Sequence, residues 1–138
     1  MSSEADAASP SKPSETYHGS CHCGRFSYAV TYSPPLSDPD ASVVECNCSI
    51  CARNGYLLIY VDVSHINYEK GVFDELKKYT FANHEIAHYF CPTCGTSCFA
   101  KATATEGPYA NMQAVNVRTF QGLELKSLNL KEVDGKSR

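Results

Sequence analysis

The sequence predicts a mainly β fold built of short antiparallel sheets, and three observations carry that expectation. Residues 25–32 alternate strictly, with Phe26, Tyr28, Val30 and Tyr32 set against Arg25, Ser27, Ala29 and Thr31. Period-two alternation is the signature of a half-buried strand, because successive side chains point to opposite faces. Beyond it, apolar runs of strand length recur between turn residues, and no window offers a long, capped amphipathic helix. The aromatic content, nine Tyr and six Phe without Trp, also suits strands.

Pro34-Pro35 and Ser37-Asp38-Pro39-Asp40 break the chain after the first strand. Tyr56 to Val63 is a β-branched and aromatic run of buried-strand length. Leu76 to Phe81 and Ile86 to Phe90 flank Ala82-Asn83-His84-Glu85, which reads as a hairpin connection. Ser97 to Thr103 and Tyr109 to Val117 add two more strands, and Val117 to Gln121 allows one short helical turn. Residues 1–16 are rich in Ser, Ala and Pro with little to bury, so a disordered N-terminal tail is expected. Residues 131–138 are charged and are expected to fray. One domain over residues 17–130 remains, and no internal repeat interrupts it.

A chain of 138 residues with 43% hydrophobic and 20% charged content is long enough for one globular core. Its formal net charge is −3. Seven thiolates around two Zn²⁺ would take that to about −6. An acidic surface repels phosphate backbones, and Lys77-Lys78 is the only adjacent basic pair, so no nucleic-acid partner is expected. No segment reaches the apolar length of a membrane span. Glu4 and Asp6 stand where a signal peptide carries Lys or Arg. A cytoplasmic or nuclear location, where thiols stay reduced, is therefore expected.

In such a compartment eight cysteines are more readily ligands than disulfides. Seven of them form three tight groups: Cys21-His22-Cys23, Cys46-Asn47-Cys48-Ser49-Ile50-Cys51, and Cys91-Pro92-Thr93-Cys94-Gly95. Residues i and i+2 of an extended segment point to one side, so a C-x-C pair aims two sulfurs at one ion. In C-P-x-C-G, Pro92 presets a turn, and Gly95 can take the positive φ that brings backbone N–H groups to the sulfurs. Zinc accepts four such sulfurs tetrahedrally; an iron–sulfur centre would also use four thiolates. Two partitions follow from spacing. A zinc ribbon would join Cys48 and Cys51 to Cys91 and Cys94. Alternatively, Cys21, Cys23, Cys91 and Cys94 close one site, leaving Cys46, Cys48 and Cys51 as a three-sulfur site with an open position, the pattern of catalytic zinc. Spacing does not choose between them.

The three motifs, in order, resemble the glutathione-dependent formaldehyde-activating enzymes, a family grouped with centromere protein V. The resemblance runs from about Gly19 to Val117. It rests on Gly19-Ser20-Cys21-His22-Cys23-Gly24, on Cys46-Asn47-Cys48-Ser49-Ile50-Cys51-Ala52-Arg53-Asn54-Gly55, and on Tyr89-Phe90-Cys91-Pro92-Thr93-Cys94-Gly95-Thr96. It implies an Mss4-like zinc-containing β fold with two zinc ions per chain. Cys21, Cys23, Cys91 and Cys94 would hold a structural ion, and Cys46, Cys48 and Cys51 a catalytic one. The implied activity is that of a carbon–sulfur lyase or synthase on a glutathione–aldehyde adduct such as S-hydroxymethylglutathione. Glutathione would be the co-substrate, with Arg53 pairing to its carboxylate. Rival expectations are an enzyme of the same fold with another small substrate, as in secondary metabolism, and a non-enzymatic zinc module that binds a macromolecule.

Outside the clusters, Cys98 is expected as a packed thiol. His88 is two-sided: a proton shuttle if it faces the open site, a satisfied strand residue otherwise. His18 and His22 are expected at the surface or behind the ligands, and His65 and His84 in solvent. Phe26, Tyr28 and Tyr60 are expected in the core. Spacing says nothing of oligomeric state.

Overall fold

The computed structural model describes residues 13–137. The expected tail of residues 1–16 lies mostly outside that range. Its end does not: Glu15 and Thr16 open strand β1 (Glu15–Ser20), which pairs antiparallel with β2 (Ser27–Tyr32). β2 pairs in turn with β5 (Ile66–Lys70), closing a three-stranded sheet in the order β1-β2-β5.

The remaining strands form a seven-stranded sheet. They are β3 (Val43–Cys46), β4 (Leu58–Asp62), β6 (Lys77–Thr80), β7 (Ile86–Phe90), β8 (Ser97–Ala102), β9 (Met112–Asn116) and β10 (Leu130–Val133). Their order is β10-β3-β4-β9-β8-β7-β6. All neighbours are antiparallel except β10 and β3, which run parallel and make the sheet mixed. A six-residue helix, α1 (Ser49–Asn54), follows β3, and short 3₁₀ turns occur elsewhere, including Val117–Thr119.

The core lies between the sheets. Tyr28 and Val30 of β2, with Phe26 just before them, are fully buried against Ile59, Val61, Phe99 and Val115 of the large sheet. Registers explain the match: Ile59 stands opposite Val115, and Val115 opposite Phe99, so all three share one face. Rings at Tyr28 and Phe99 lie 4.8 Å apart between centroids. Burial of a large apolar side chain contributes about 1.5–3 kcal/mol, so this layer is a major source of the fold's stability.

The opposite face of the large sheet carries a second, smaller cluster of Cys51, Tyr56, Leu58, Ala100 and Ala114. α1 and the cysteine loop before it cover part of this face.

Three expectations need correction. Residues 131–138 do not begin as a frayed tail. β10 lies along β3 in the register Lys131–Val44 and Glu132–Glu45, where backbone pairing holds a segment that has little to bury. Tyr60 is not core: it is 48% exposed, because alternation along β4 turns it away from the buried Ile59 and Val61. And α1 occupies a stretch where no helix is expected.

Candidate functional site

The structure divides seven cysteines into two groups whose sulfurs lie within 4.8 Å of one another: Cys21, Cys23, Cys91 and Cys94, and Cys46, Cys48 and Cys51. The ribbon partition does not occur, because Cys48 and Cys51 gather with Cys46 rather than with Cys91 and Cys94.

The first group joins the turn after β1 to the turn between β7 and β8. Cys21 and Cys23 sulfurs are 3.8 Å apart, and those of Cys23 and Cys91 are 3.7 Å apart. A tetrahedral ion with bonds of roughly 2.3 Å to sulfur sets an S–S edge of about 3.8 Å, so the residues fit such an ion. Backbone N–H groups donate to the sulfurs: Phe26 to Cys21 at 3.3 Å, Thr93 and Cys94 to Cys91 at 3.3 and 3.4 Å, and Cys23 to Cys94 at 3.4 Å. Gly95 takes φ +82°, the left-handed region its lack of a Cβ permits, and its N–H donates to the Cys91 carbonyl at 2.8 Å. Burial raises the Cys94 thiol, but the Thr96 hydroxyl and nearby N–H donors outweigh it and bring the pKa down to about 5. A thiol so lowered is a thiolate at neutral pH, as metal ligation requires.

The second group sits where β3 ends and α1 begins. Cys46 closes β3, Cys48 precedes α1, and Cys51 lies in its first turn. The Cys48 N–H donates to Cys46 Sγ at 3.5 Å. At Cys48 burial acts upward, yet N–H and thiol donors around it, led by those of Cys51, leave its pKa below the ordinary value. At Cys51, 9% exposed, burial prevails and pushes the thiol up. Three sulfurs on one compact loop leave a tetrahedral ion one further position.

Two residues beside this group escaped the sequence. Asn47 is clamped by the C-terminal segment: its N–H donates to Val133 O at 3.1 Å, its Nδ2 to Asp134 Oδ1 at 2.9 Å, and its Oδ1 accepts from Lys136 N at 2.9 Å. Gly135 lies against Cys46 and Cys48 so closely that no Cβ fits there. Nothing in a charged terminal stretch announces either contact.

A cleft of about 390 Å³ opens beside Cys48 and Cys51. Tyr60, Phe81, Ile86, His88, Ala100 and Ala114 line much of it. His88 is only 6% exposed, and its Nδ1 lies 3.1 Å from the hydroxyl of buried Tyr56. Burial lowers the His88 pKa, so the imidazole is neutral near pH 7. Burial likewise raises the Tyr56 phenol to about 12. His88 thus presents a neutral imidazole in the wall of the cleft, with the Tyr56 hydroxyl behind it.

Residues 16–127 match the family described as glutathione-dependent formaldehyde-activating enzyme. The chain belongs to that family. A crystal structure of a Rhodobacter sphaeroides protein from a structural genomics programme superposes with a TM-score of 0.63 at 25% identity. It covers 83% of this chain and 99% of that one. With the family match, it identifies the mainly β architecture as Mss4-like.

Other residues take quieter places. Arg53 donates from Nη1 to Ser49 O at 3.1 Å on its own helix and does not line the cleft beside Cys48. Cys98 is fully buried outside both groups, its thiol pushed up to about 12 by burial. Exposed His18 lies 3.6 Å from Glu69, and the His84 imidazole 2.8 Å from the Thr80 hydroxyl.

Proposed function

We propose that this family member is a zinc-dependent carbon–sulfur lyase or synthase acting on thiol–aldehyde adducts, with glutathione and formaldehyde as the family's reactant pair. The observation that carries the reading is the pairing of one four-sulfur group with one three-sulfur group that borders a cleft. Cys21, Cys23, Cys91 and Cys94 would hold a structural zinc, and Cys46, Cys48 and Cys51 a second. Bound there, zinc supplies a Lewis-acid position at which an incoming thiol is held as its thiolate.

The chain's own residues do the rest. The cleft walls give the reacting carbon apolar surroundings on one side. Neutral His88, oriented by the Tyr56 hydroxyl, exchanges a proton with the hydroxyl that appears or disappears on that carbon. In the synthetic direction the thiolate sulfur bonds to the carbonyl carbon, the C=O π pair moves to oxygen, and the thiol's proton ends there. The reverse returns thiol and aldehyde, with no change of oxidation state.

Exchange spectroscopy of ¹³C-formaldehyde with glutathione tests this, comparing the parent, Cys48→Ala and no protein. Exchange accelerated by the parent alone is expected. Equal exchange in all three samples would refute the assignment.

A further inference from the structure

The cleft beside the three-sulfur group owes its shape to strand register. Tyr60 of β4 stands opposite Ala114 of β9, Ala114 opposite Ala100 of β8, Ala100 opposite His88 of β7, and His88 opposite Tyr79 of β6. Residues so paired share a sheet face with Cβ atoms about 5 Å apart. Two methyl groups in the middle of a row of rings make a trough, floored by alanine and walled by Tyr60 on one side and His88 on the other.

On the His88 side the wall is aromatic. Tyr79 and Phe81 rings lie 5.7 Å apart at 21°, Phe81 and His88 5.9 Å apart at 24°, and His88 and Tyr56 5.7 Å apart at 18°. Of these stacked rings Phe81 and His88 reach the cleft, while Tyr56 lies buried behind them, so the lining offers another flat ring two aromatic neighbours for offset or edge contact. The rim is apolar as well. Tyr60, Phe81, Ile86 and Tyr109 are 48%, 37%, 46% and 70% exposed and all border this cleft. Large apolar side chains gathered in the open around one concavity mark a binding site more than a solvent face.

Size and charge point the same way. At roughly 30 Å³ per water, a volume of about 390 Å³ has room for a small thiol together with an aldehyde of more than one carbon. Among the described residues Lys101 is the only Lys or Arg in its lining, and its Nζ already donates to Ala110 O. The neighbouring concavity on the Cys46 side sets Glu45, Glu132 and Asp134 against Arg118, whose Nε donates to Gly55 O at 2.6 Å. Neither surface clusters basic side chains, and the trough is apolar, which suits an apolar ring.

We propose that the aldehyde handled here is an aryl-substituted one, its ring lying over Ala100 and Ala114 between Tyr60 and the His88 stack and its carbonyl carbon at the Cys48–Cys51 end. The inference rests on the thiol–aldehyde reading and names its substrate class. The step is unchanged: a C–S bond forms, the C=O π bond opens, and the thiol's proton passes to the new hydroxyl.

Phenylacetaldehyde and formaldehyde serve as probes, each with a small uncharged thiol and the two-zinc protein, and exchange is read by NMR as kcat/KM. The parent is expected to favour phenylacetaldehyde at least tenfold. Ala114→Leu, which fills the trough floor, is expected to cut that selectivity ratio at least tenfold. Tyr60→Ala, on the exposed wall, is expected to raise the KM for phenylacetaldehyde more than that for formaldehyde, and it guards against a folding failure of the first variant. A parent that turns over formaldehyde but not phenylacetaldehyde overturns this inference and leaves the thiol–aldehyde reading standing. A parent that accelerates neither overturns both. Equal selectivity in the parent and both variants also overturns the trough as the determinant.

Discussion

Gly135 packs against Cys46 so tightly that a Cβ at position 135 would stand 2.5 Å from the Cys46 sulfur and 3.2 Å from the Cys48 Cβ. The approach is held from outside the cluster, because Asn47 hydrogen-bonds to Val133, Asp134 and Lys136 and fixes the C-terminal segment over the loop. A segment tied at three points cannot retreat freely from an added methyl group. Gly135→Val is therefore expected to lose the second metal and keep the first, at a cost in stability of about 1–3 kcal/mol typical of overpacking. Native mass spectrometry should find two zinc ions in the parent and one in the variant. Two ions in both would show that the segment moves aside.

The four-sulfur group has a different reach. Cys23 and Cys91 are 68 residues apart in sequence, so an ion bridging them closes a long loop. By analogy with cross-links of that span, the closure is worth about 4 kcal/mol, and a structural zinc adds its own binding energy to folding. Cys94→Ser is expected to lower the melting temperature by about 10 °C or more. Cys48→Ala, whose partners lie within one short loop, is expected to lower it less. Matching melting curves for Cys94→Ser and the parent would remove the structural role assigned to that group.

The strands that paired apolar with polar residues were legible: residues 26–32, 86–90 and 97–103 stand within a residue or two of the observed β2, β7 and β8. Other strands were not. β1, β5 and β10 are edge strands, and in Ile66-Asn67-Tyr68-Glu69-Lys70 the alternation spans only two apolar positions, too few to read alone. α1 was hidden for a related reason: Cys48 occupies its N-cap without a side-chain hydrogen bond, so the usual Ser, Thr or Asp signal is missing. The cysteine motifs showed which residue types could ligate, but the grouping depends on which turns the sheets bring together. The trough was invisible because it arises from Ala100 and Ala114 meeting across strands, and neither alanine carries any signal alone.

Stability should depend on pH through His88. Buried against the Tyr56 and Phe81 rings, its imidazole has a pKa below the ordinary 6.5. As pH falls through 6.5 the unfolded chain takes up a proton that the folded chain resists, so stability drops until the lowered folded-state pKa is passed. Above 6.5 the effect is absent. Cysteine ligands also titrate in acid, so the useful quantity is the difference between parent and His88→Phe. Urea midpoints from pH 7.5 to 5.5 should fall more steeply in the parent. Parallel curves would mean that His88 is protonated as easily folded as unfolded.

The hydrogen bond between Tyr56 and His88 makes a last prediction that separates orientation from proton transfer. Tyr56 Oη lies 3.1 Å from His88 Nδ1, and where the phenol donates, the imidazole carries its proton on Nε2. Tyr56→Phe deletes that donor but leaves the ring stack intact, so His88 keeps its place while losing its preferred tautomer. The expected result is a drop in kcat of about 10-fold with little change in KM. His88→Gln removes the exchanging group itself and should cost about 100-fold, the lower end of what general acid–base groups supply. Both variants should retain two zinc ions and parent-like thiol binding, since neither touches a sulfur ligand's role. The acid limb of the pH–rate profile should move in Tyr56→Phe and vanish in His88→Gln. If His88→Gln keeps the parent's rate and profile, the proton moves through solvent, and the buried pair serves only to wall the cleft.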